Sequence, residues 1–348
     1  MRTFHIEPTD KSLAPAASEK IDNLNKPLKS MGRLEDLALQ VCLVQHTLSP
    51  RLTHPCHILF GADHGIEHEG VSVAPRSVTW QQMLNFAQGG GGVNMLCRQH
   101  GFKLRIVDVG VDHDLSSCPG IIHRKIAWGT RDFLNEAAIT QEEMNRAINV
   151  GVEMADACIA EGCNVLSLGE MGIGNTSPSS LWMAELGQLP LKLCVGAGSG
   201  LDADGVNHKL HVLQQAADRF HASHAVRTTE DVLCYFGGFE MIAALGAMLR
   251  AAEKHCLILV DGFIMSACML AASKLQPAVT DYAIFCHEGD EDGHRLLLSL
   301  MKAQPLLNLG MRLGEGTGAL CAYPLVDTAV RMINEMNNFN NAHIDKYF

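Results

Sequence analysis

No run of roughly 18 uncharged apolar residues, the length that spans a bilayer, occurs in this chain of 348 residues. Its first residues, MRTFHIEPTDKSL, hold no apolar stretch of the kind a secretion signal carries, so a cytoplasmic protein with no membrane partner is expected. Positive charge is short too. Lys and Arg number 27 against 38 Asp and Glu, a net charge of −11, which argues against nucleic acid as a partner and leaves room for a local basic pocket around one phosphate. Aromatic residues are few, at 5%. No C-x-x-C pair occurs among the 12 cysteines, most of which lie inside apolar runs, so they are expected as reduced core residues rather than disulfides or a zinc ribbon. What remains is a composition of 47% hydrophobic and 19% charged residues, that of a globular protein with a sizeable core.

Three glycine-rich stretches stand out. In Leu166 to Thr176, LSLGEMGIGNT, an apolar run suited to a buried strand breaks into a loop around one carboxylate, Glu170. Glycines 169, 172 and 174 let backbone N–H groups approach an anion, and Asn175 and Thr176 are placed to cap a following helix. Leu193 to Leu201, LCVGAGSGL, is a second such run, with Gly198 and Gly200 and then Lys209 downstream. Met311 to Gly318, MRLGEGTG, again sets one carboxylate, Glu315, between glycines. Three strand-to-glycine transitions suggest one site at the carboxyl edge of a parallel sheet.

Along the chain, Leu34, Leu37, Val41, Val44 and Leu48 predict an amphipathic helix that stops before Pro50. Cys56 to Phe60 reads as the first strand, followed by GADHGIEHEG, in which Asp63 and His64 are plausible pocket residues. There His64, Glu67 and His68 spell H-x-x-E-H, a zinc-hydrolase pattern, but Gly61, Gly65 and Gly70 make a poor helix and no third ligand follows; no metal is expected. The residues Gly89 to Gly92 mark a close backbone approach or a hinge. Strands at 103–110, 164–168, 256–260 and 282–286 alternate with helices, one of them begun by a Thr140–Glu143 capping box. The segment from Val111 to Asp132 has no clear assignment, the acidic run Asp290 to Asp292 reads as a solvated helix start, and the Asn-rich tail as frayed. The class is therefore α/β with a mostly parallel sheet, and the helices at the two chain ends lie outside the alternation. GAGSGL does not spell G-x-G-x-x-G, which weakens a dehydrogenase reading. An idle nucleotide-binding protein on the same fold is the remaining alternative, against which stand the two carboxylates, since glycine loops alone suffice for phosphate.

Together GRLE at 32–35, ADHG at 62–65, LGEMGIGNT at 168–176, GGFE at 237–240, LVDGF at 259–263 and MRLGEGTGA at 311–319 resemble the nicotinate-nucleotide:dimethylbenzimidazole phosphoribosyltransferase family. The resemblance implies transfer of phosphoribose from nicotinate mononucleotide to 5,6-dimethylbenzimidazole in cobalamin assembly, with no cofactor. It implies a homodimer with a large Rossmann-like part, 51–321, and a small helical part from 1–50 and 322–348. Glu315 matches the general base and Glu170 the second acid. Gly172, Gly174, Asn175, Thr176, Gly198, Gly200 and Lys209 are the implied phosphate and nucleotide ligands, while Gln81, Met83 and Leu313 are the candidates for the base pocket. Ala197 and Met31 stand where many members carry Arg and Leu. Transfer to adenine or a phenol is the alternative acceptor chemistry.

Overall fold

The computed structural model describes residues 2–346 and is built on one six-stranded parallel sheet. Its strands are β1 (Cys56–Ala62), β2 (Lys103–Gly110), β3 (Ile121–His123), β4 (Val165–Met171), β5 (Leu257–Val260) and β6 (Ala283–Phe285), in the order β3-β2-β1-β4-β5-β6. β1, read CHILFGA, is buried along its whole length, as a strand covered on both faces must be. β4 lies beside it in parallel register, with His57 opposite Ser167 and Phe60 opposite Glu170. The direction in which successive strands are added reverses between β1 and β4, where a crevice opens beyond the carboxyl ends of the strands.

The helices are α1 (Ala14–Asp22), α2 (Arg33–Val44), α3 (Ser77–Ala87), α4 (Gly92–His100), α5 (Gln141–Ala160), α6 (Thr176–Gly187), α7 (Ala203–Ser223), α8 (Thr229–Tyr235), α9 (Phe239–Glu253), α10 (Phe263–Leu275), α11 (His294–Leu300), α12 (Thr317–Glu335) and α13 (Phe339–Ala342). α9 crosses one sheet face over β1, β2, β4 and β5, with α5 against it. α3, α4 and α12 hold the other face. Alternation along β1 makes the division visible, since Gly61 meets Met83 of α3 whereas Ala62 and Gly110 lie against Phe239 of α9. α5 begins as its sequence predicts: Thr140 accepts from the Glu143 N–H at 3.1 Å and Glu143 accepts from the Thr140 N–H at 2.7 Å.

The two chain ends meet. α1 and α2 pack together and α2 packs on α12, while Leu24 bridges Asn338 and the Asn25 N–H donates to the Asn337 carbonyl at 2.8 Å. Phe339 is buried, so the expected fraying does not reach it. The residues before α1 are tied to the sheet's far edge, where Tyr282 donates to the Glu7 carbonyl at 2.8 Å. One continuous cluster of buried side chains runs from Phe4 to Ile333, and the 321/322 boundary falls inside α12. All 12 cysteines are free, most of them buried.

Two sequence expectations need correction. Only the first of the three glycine stretches follows a strand. Residues 193–201 form a 3-10 turn and irregular backbone, because glycines at 196, 198 and 200 leave too little side chain to pack a ladder; 311–316 is irregular because its backbone turns left-handed. The unassigned excursion contains β3, an edge strand too short to show a period.

The α5–α9 contact fixes this layer: a Cβ on Gly151 would lie 1.9 Å from the Ala243 carbonyl oxygen. Gly151→Ala must push the helices apart and is expected to lose about 1–3 kcal/mol in urea unfolding. An unchanged midpoint would show that this approach is not tight.

Candidate active site

Parallel strands deliver their last residues to one edge. β1 ends into Asp63 and His64, β4 carries Glu170, β5 runs into Asp261, and His287 follows β6. Of these, Glu170, Asp261 and His287 border a cleft enclosing about 950 Å³, open mouth included, whose walls come from 71–72, 170–176, 198–199, 261–265, 287, 289–291 and 311–315. Its lining carboxyl groups are Glu170, Asp261, Asp290, Glu291 and Glu315; Arg312 is the sole Lys or Arg among the lining residues.

Glu170 is 7% exposed and accepts a hydrogen bond from the Asn175 amide. Burial pushes its carboxyl up to about 8; Asn175 opposes this, and the charges of Glu240, Asp261 and Glu315 add to it. Asn175 occupies the residue before α6 but its side chain makes no cap there, having turned to the acid. The same amide approaches Glu240 at 3.5 Å, and Glu240 is held by His64 at 2.7 Å with both side chains buried. Asp261 behaves oppositely. Burial would raise it, but His287 at 3.5 Å and the backbone N–H of Ala319 at 2.8 Å hold it below the usual carboxylate value. One neutral and one ionised acid thus stand in the same cleft.

Glu315 sits in a strained loop. Gly314, Glu315 and Gly316 have φ of 82°, 62° and 79°, three successive left-handed residues, of which the non-glycine costs about 1–3 kcal/mol. Close packing imposes that conformation: a Cβ on Gly316 would lie 2.2 Å from the His57 ring, and one on Gly169 2.2 Å from the Glu315 carbonyl oxygen. His57 is neutral, driven down to about 4 by burial, and bonds Ser167 at 2.9 Å. The loop aims the Glu315 carboxyl inward, where it accepts from the Val93 N–H in the first turn of α4 at 3.2 Å. Burial raises its pKa, the Val93 bond opposing and Asp261 assisting. The Gly89 to Gly92 run lets that helix start come close, since a Cβ on Gly92 would stand 3.5 Å from the carboxyl oxygen.

On the other side of the cleft, Lys209 of α7 is wholly buried and donates to Thr176 Oγ1 at 2.7 Å and to the Gly196 carbonyl at 3.3 Å. Burial lowers it to about 8, against the pull of Glu291.

Of the residues singled out in the sequence, Glu170, Gly172, Gly174, Asn175, Thr176, Gly198, Leu313 and Glu315 meet at the cleft, and Lys209 stands directly behind Thr176. Gly200 is exposed and outside the lining. Gln81 is exposed on α3, and Met83 is fully buried against Gly61 because its helix face turns to the sheet, so neither reaches the cleft. His64, Glu67 and His68 do not share a ligand site: His64 pairs with Glu240, and Glu67 and His68 bond Arg76. Among the described residues, no group of three or more His, Cys, Asp or Glu is arranged to hold a metal. Sequence reasoning passed over Asp261, Glu240 and Glu291 as single residues; position at a strand end was the available signal for Asp261. Glu291, read as part of a solvated helix start, instead turns inward and accepts from the Gly198 N–H.

A carboxyl whose folded pKa rises from 4.5 to about 8 holds its proton more tightly folded than unfolded. Its contribution to stability is full below the unfolded value and lost as pH rises from about 5 to about 8. Glu170→Gln should flatten this fall by at least ~1 kcal/mol in urea titrations at the two pH values. An unchanged slope would mean that Glu170 ionises normally.

A family model described as phosphoribosyltransferase matches residues 6–344. The chain is 60% identical over 348 residues, all of both proteins, to the nicotinate-nucleotide:dimethylbenzimidazole phosphoribosyltransferase of Bacteroides fragilis strain ATCC 25285. It is 46% identical to the enzyme of that name from Dechloromonas aromatica strain RCB, with 99% of each chain covered. Among solved structures, CobT from Thermus thermophilus superposes with a TM-score of 0.93 at 35% identity, covering 97% of this chain and 100% of that one. At these identities over its full length, the chain is a member of the nicotinate-nucleotide:dimethylbenzimidazole phosphoribosyltransferase family.

Proposed function

We propose that the chain transfers the 5-phosphoribosyl group of nicotinate mononucleotide to 5,6-dimethylbenzimidazole, in cobalamin biosynthesis. The observation that carries the reading in this chain is the Glu315 carboxyl, fixed by the left-handed run at 314–316 and lining the same cleft as Glu170. In the reaction an azole nitrogen forms a bond to ribose C1′ as the bond from C1′ to the pyridinium nitrogen breaks. The electron pair of that bond returns to the ring, so nicotinate leaves without a proton and no general acid is required. The azole N–H proton passes to Glu315, whose raised pKa brings it nearer neutrality as an acceptor. Attack on the face opposite the leaving group inverts C1′ and gives α-ribazole 5′-phosphate.

Burial leaves Glu170 protonated near neutral pH. A bound pyridinium brings positive charge beside it and lowers its pKa, so its negative charge develops where an oxocarbenium-like ribose needs it. Gly172, Gly174, Asn175, Thr176, Gly198 and Lys209 are assigned to the nucleotide, whose phosphate suits a buried ammonium and nearby backbone N–H groups; Gly200 lies at the outer end of the same loop. Leu313, exposed at the cleft mouth, is assigned to the azole. We take the working enzyme to be a cytoplasmic homodimer, with residues 1–50 and 322–348 as a small helical part beside 51–321. Among the described residues no helix is long and apolar enough to cross a membrane. A zinc hydrolase is not favoured, because His64, Glu67 and His68 diverge.

Chromatographic measurement of nicotinate release tests the function. Release should require the azole, and Glu315→Gln should lower kcat by about 10²–10⁴ while the nucleotide still binds. Near-normal turnover in the variant would remove Glu315 as the base, and azole-independent release would remove the transferase reading. Lys209→Met should chiefly raise KM for nicotinate mononucleotide, by about tenfold or more; an unaltered KM would place the phosphate elsewhere.

A further inference from the structure

The cradle assigned above to the phosphate holds an anion supplied by the chain itself. Glu291, in the loop between β6 and α11, directs its carboxylate at the second glycine loop and accepts from the Gly198 N–H at 3.2 and 3.1 Å through its two oxygens. Gly198 has φ of 56°. A Cβ at Gly196 would stand 2.5 Å from the Glu291 carboxylate, so the glycine leaves room for the carboxylate in this position. Lys209, buried beside Gly198, attracts the same carboxylate, while the neighbouring Asp290 and Asp292 repel it. Glycine backbone donor, buried ammonium and carboxylate thus stand close together beside the cleft, and Glu291 is itself one of its lining residues.

We infer that Glu291 is an internal stand-in for the substrate phosphate, displaced by rotation of its side chain when a phosphorylated ligand enters, and that it sets the specificity of the cradle. This rests on the assignment of Gly198 and Lys209 to the phosphate. A carboxylate carries one negative charge, whereas a phosphate monoester carries about 1.5 to 2 near neutral pH and three terminal oxygens. An anion that offers no more than a carboxylate gains nothing by replacing Glu291. A phosphate monoester exchanges one charge-assisted bond for several, and Glu291 turns toward solvent beside Asp290 and Asp292, which are exposed. The competition thereby excludes unphosphorylated nucleosides and small carboxylates, at the expense of some affinity for the true substrate.

The test uses the full chain with Glu291→Gln, which removes the charge and keeps the shape, and Glu291→Asp, which keeps the charge but falls short of Gly198. Inorganic phosphate is titrated calorimetrically, and KM for nicotinate mononucleotide is measured at saturating azole. Both variants should bind phosphate more tightly, Glu291→Gln by roughly tenfold, with KM falling in parallel. Weaker or unchanged phosphate binding in both variants would overturn the inference, the first by making Glu291 a clamp that shapes the loop. Lack of phosphate binding in wild type and variants alike would overturn it by removing the cradle. Phosphate binding needs no chemistry, so it separates failure of this inference from failure of the transferase reading, which nicotinate release reports.

Discussion

A carboxyl group that loses water without gaining a cation keeps its proton, and the cleft between β1 and β4 imposes that condition on Glu170. The acid side chains converge there because parallel strands end together, and every strand end is a place where backbone must turn and polar groups can face solvent. The compensation that exists is uneven. Asp261 receives His287 and the first turn of α12, Glu240 receives His64, and Glu315 receives a single backbone N–H from α4. Glu170 receives only a neutral amide. Differences in partners, not in residue type, separate an ionised acid from a protonated one over a short distance.

Packing beneath the cleft holds these differences fixed. The Gly314–Gly316 run keeps its left-handed backbone because β4 and His57 leave no alternative, with glycines at 169 and 316 making the approach possible. α12 then starts directly from the strained loop and carries its first-turn N–H to Asp261. Since α12 also packs on α2 and bonds the segment between α2 and β1 through Asn334 and the Pro50 carbonyl, the terminal helices brace the element that presents the base.

Much of this was legible in the sequence, for physical reasons that differ from element to element. β1 and β4 announce themselves as continuous apolar runs, and α5 through its capping box, because their signals are local. Glu170 and Glu315 stood out because each is a lone carboxylate among glycines. The glycine loops at 193–201 and 311–316 looked like strand ends but are not, since a short apolar run does not distinguish strand from buried turn. β3 was hidden by its length. Gln81 and Met83, expected in the base pocket, lie outside the cleft lining, because which face of α3 turns to the cleft depends on how it meets β1. Glu291 was concealed by its setting: an acidic run reads as solvated unless the partner, here Gly198 with Lys209, is known to lie opposite, and those residues are far away in the chain.

The roles of the two cleft acids turn on their protonation. Carbon-13 NMR of glutamate side-chain carboxyls, assigned through Glu170→Gln and Glu315→Gln, measures it without reference to turnover. Glu170 should titrate near 8 and Glu315 above the ordinary 4.5. Titration of both at the ordinary value would mean that water or cations reach the cleft floor, and would contradict the claim that uncompensated burial prepares these acids for their roles.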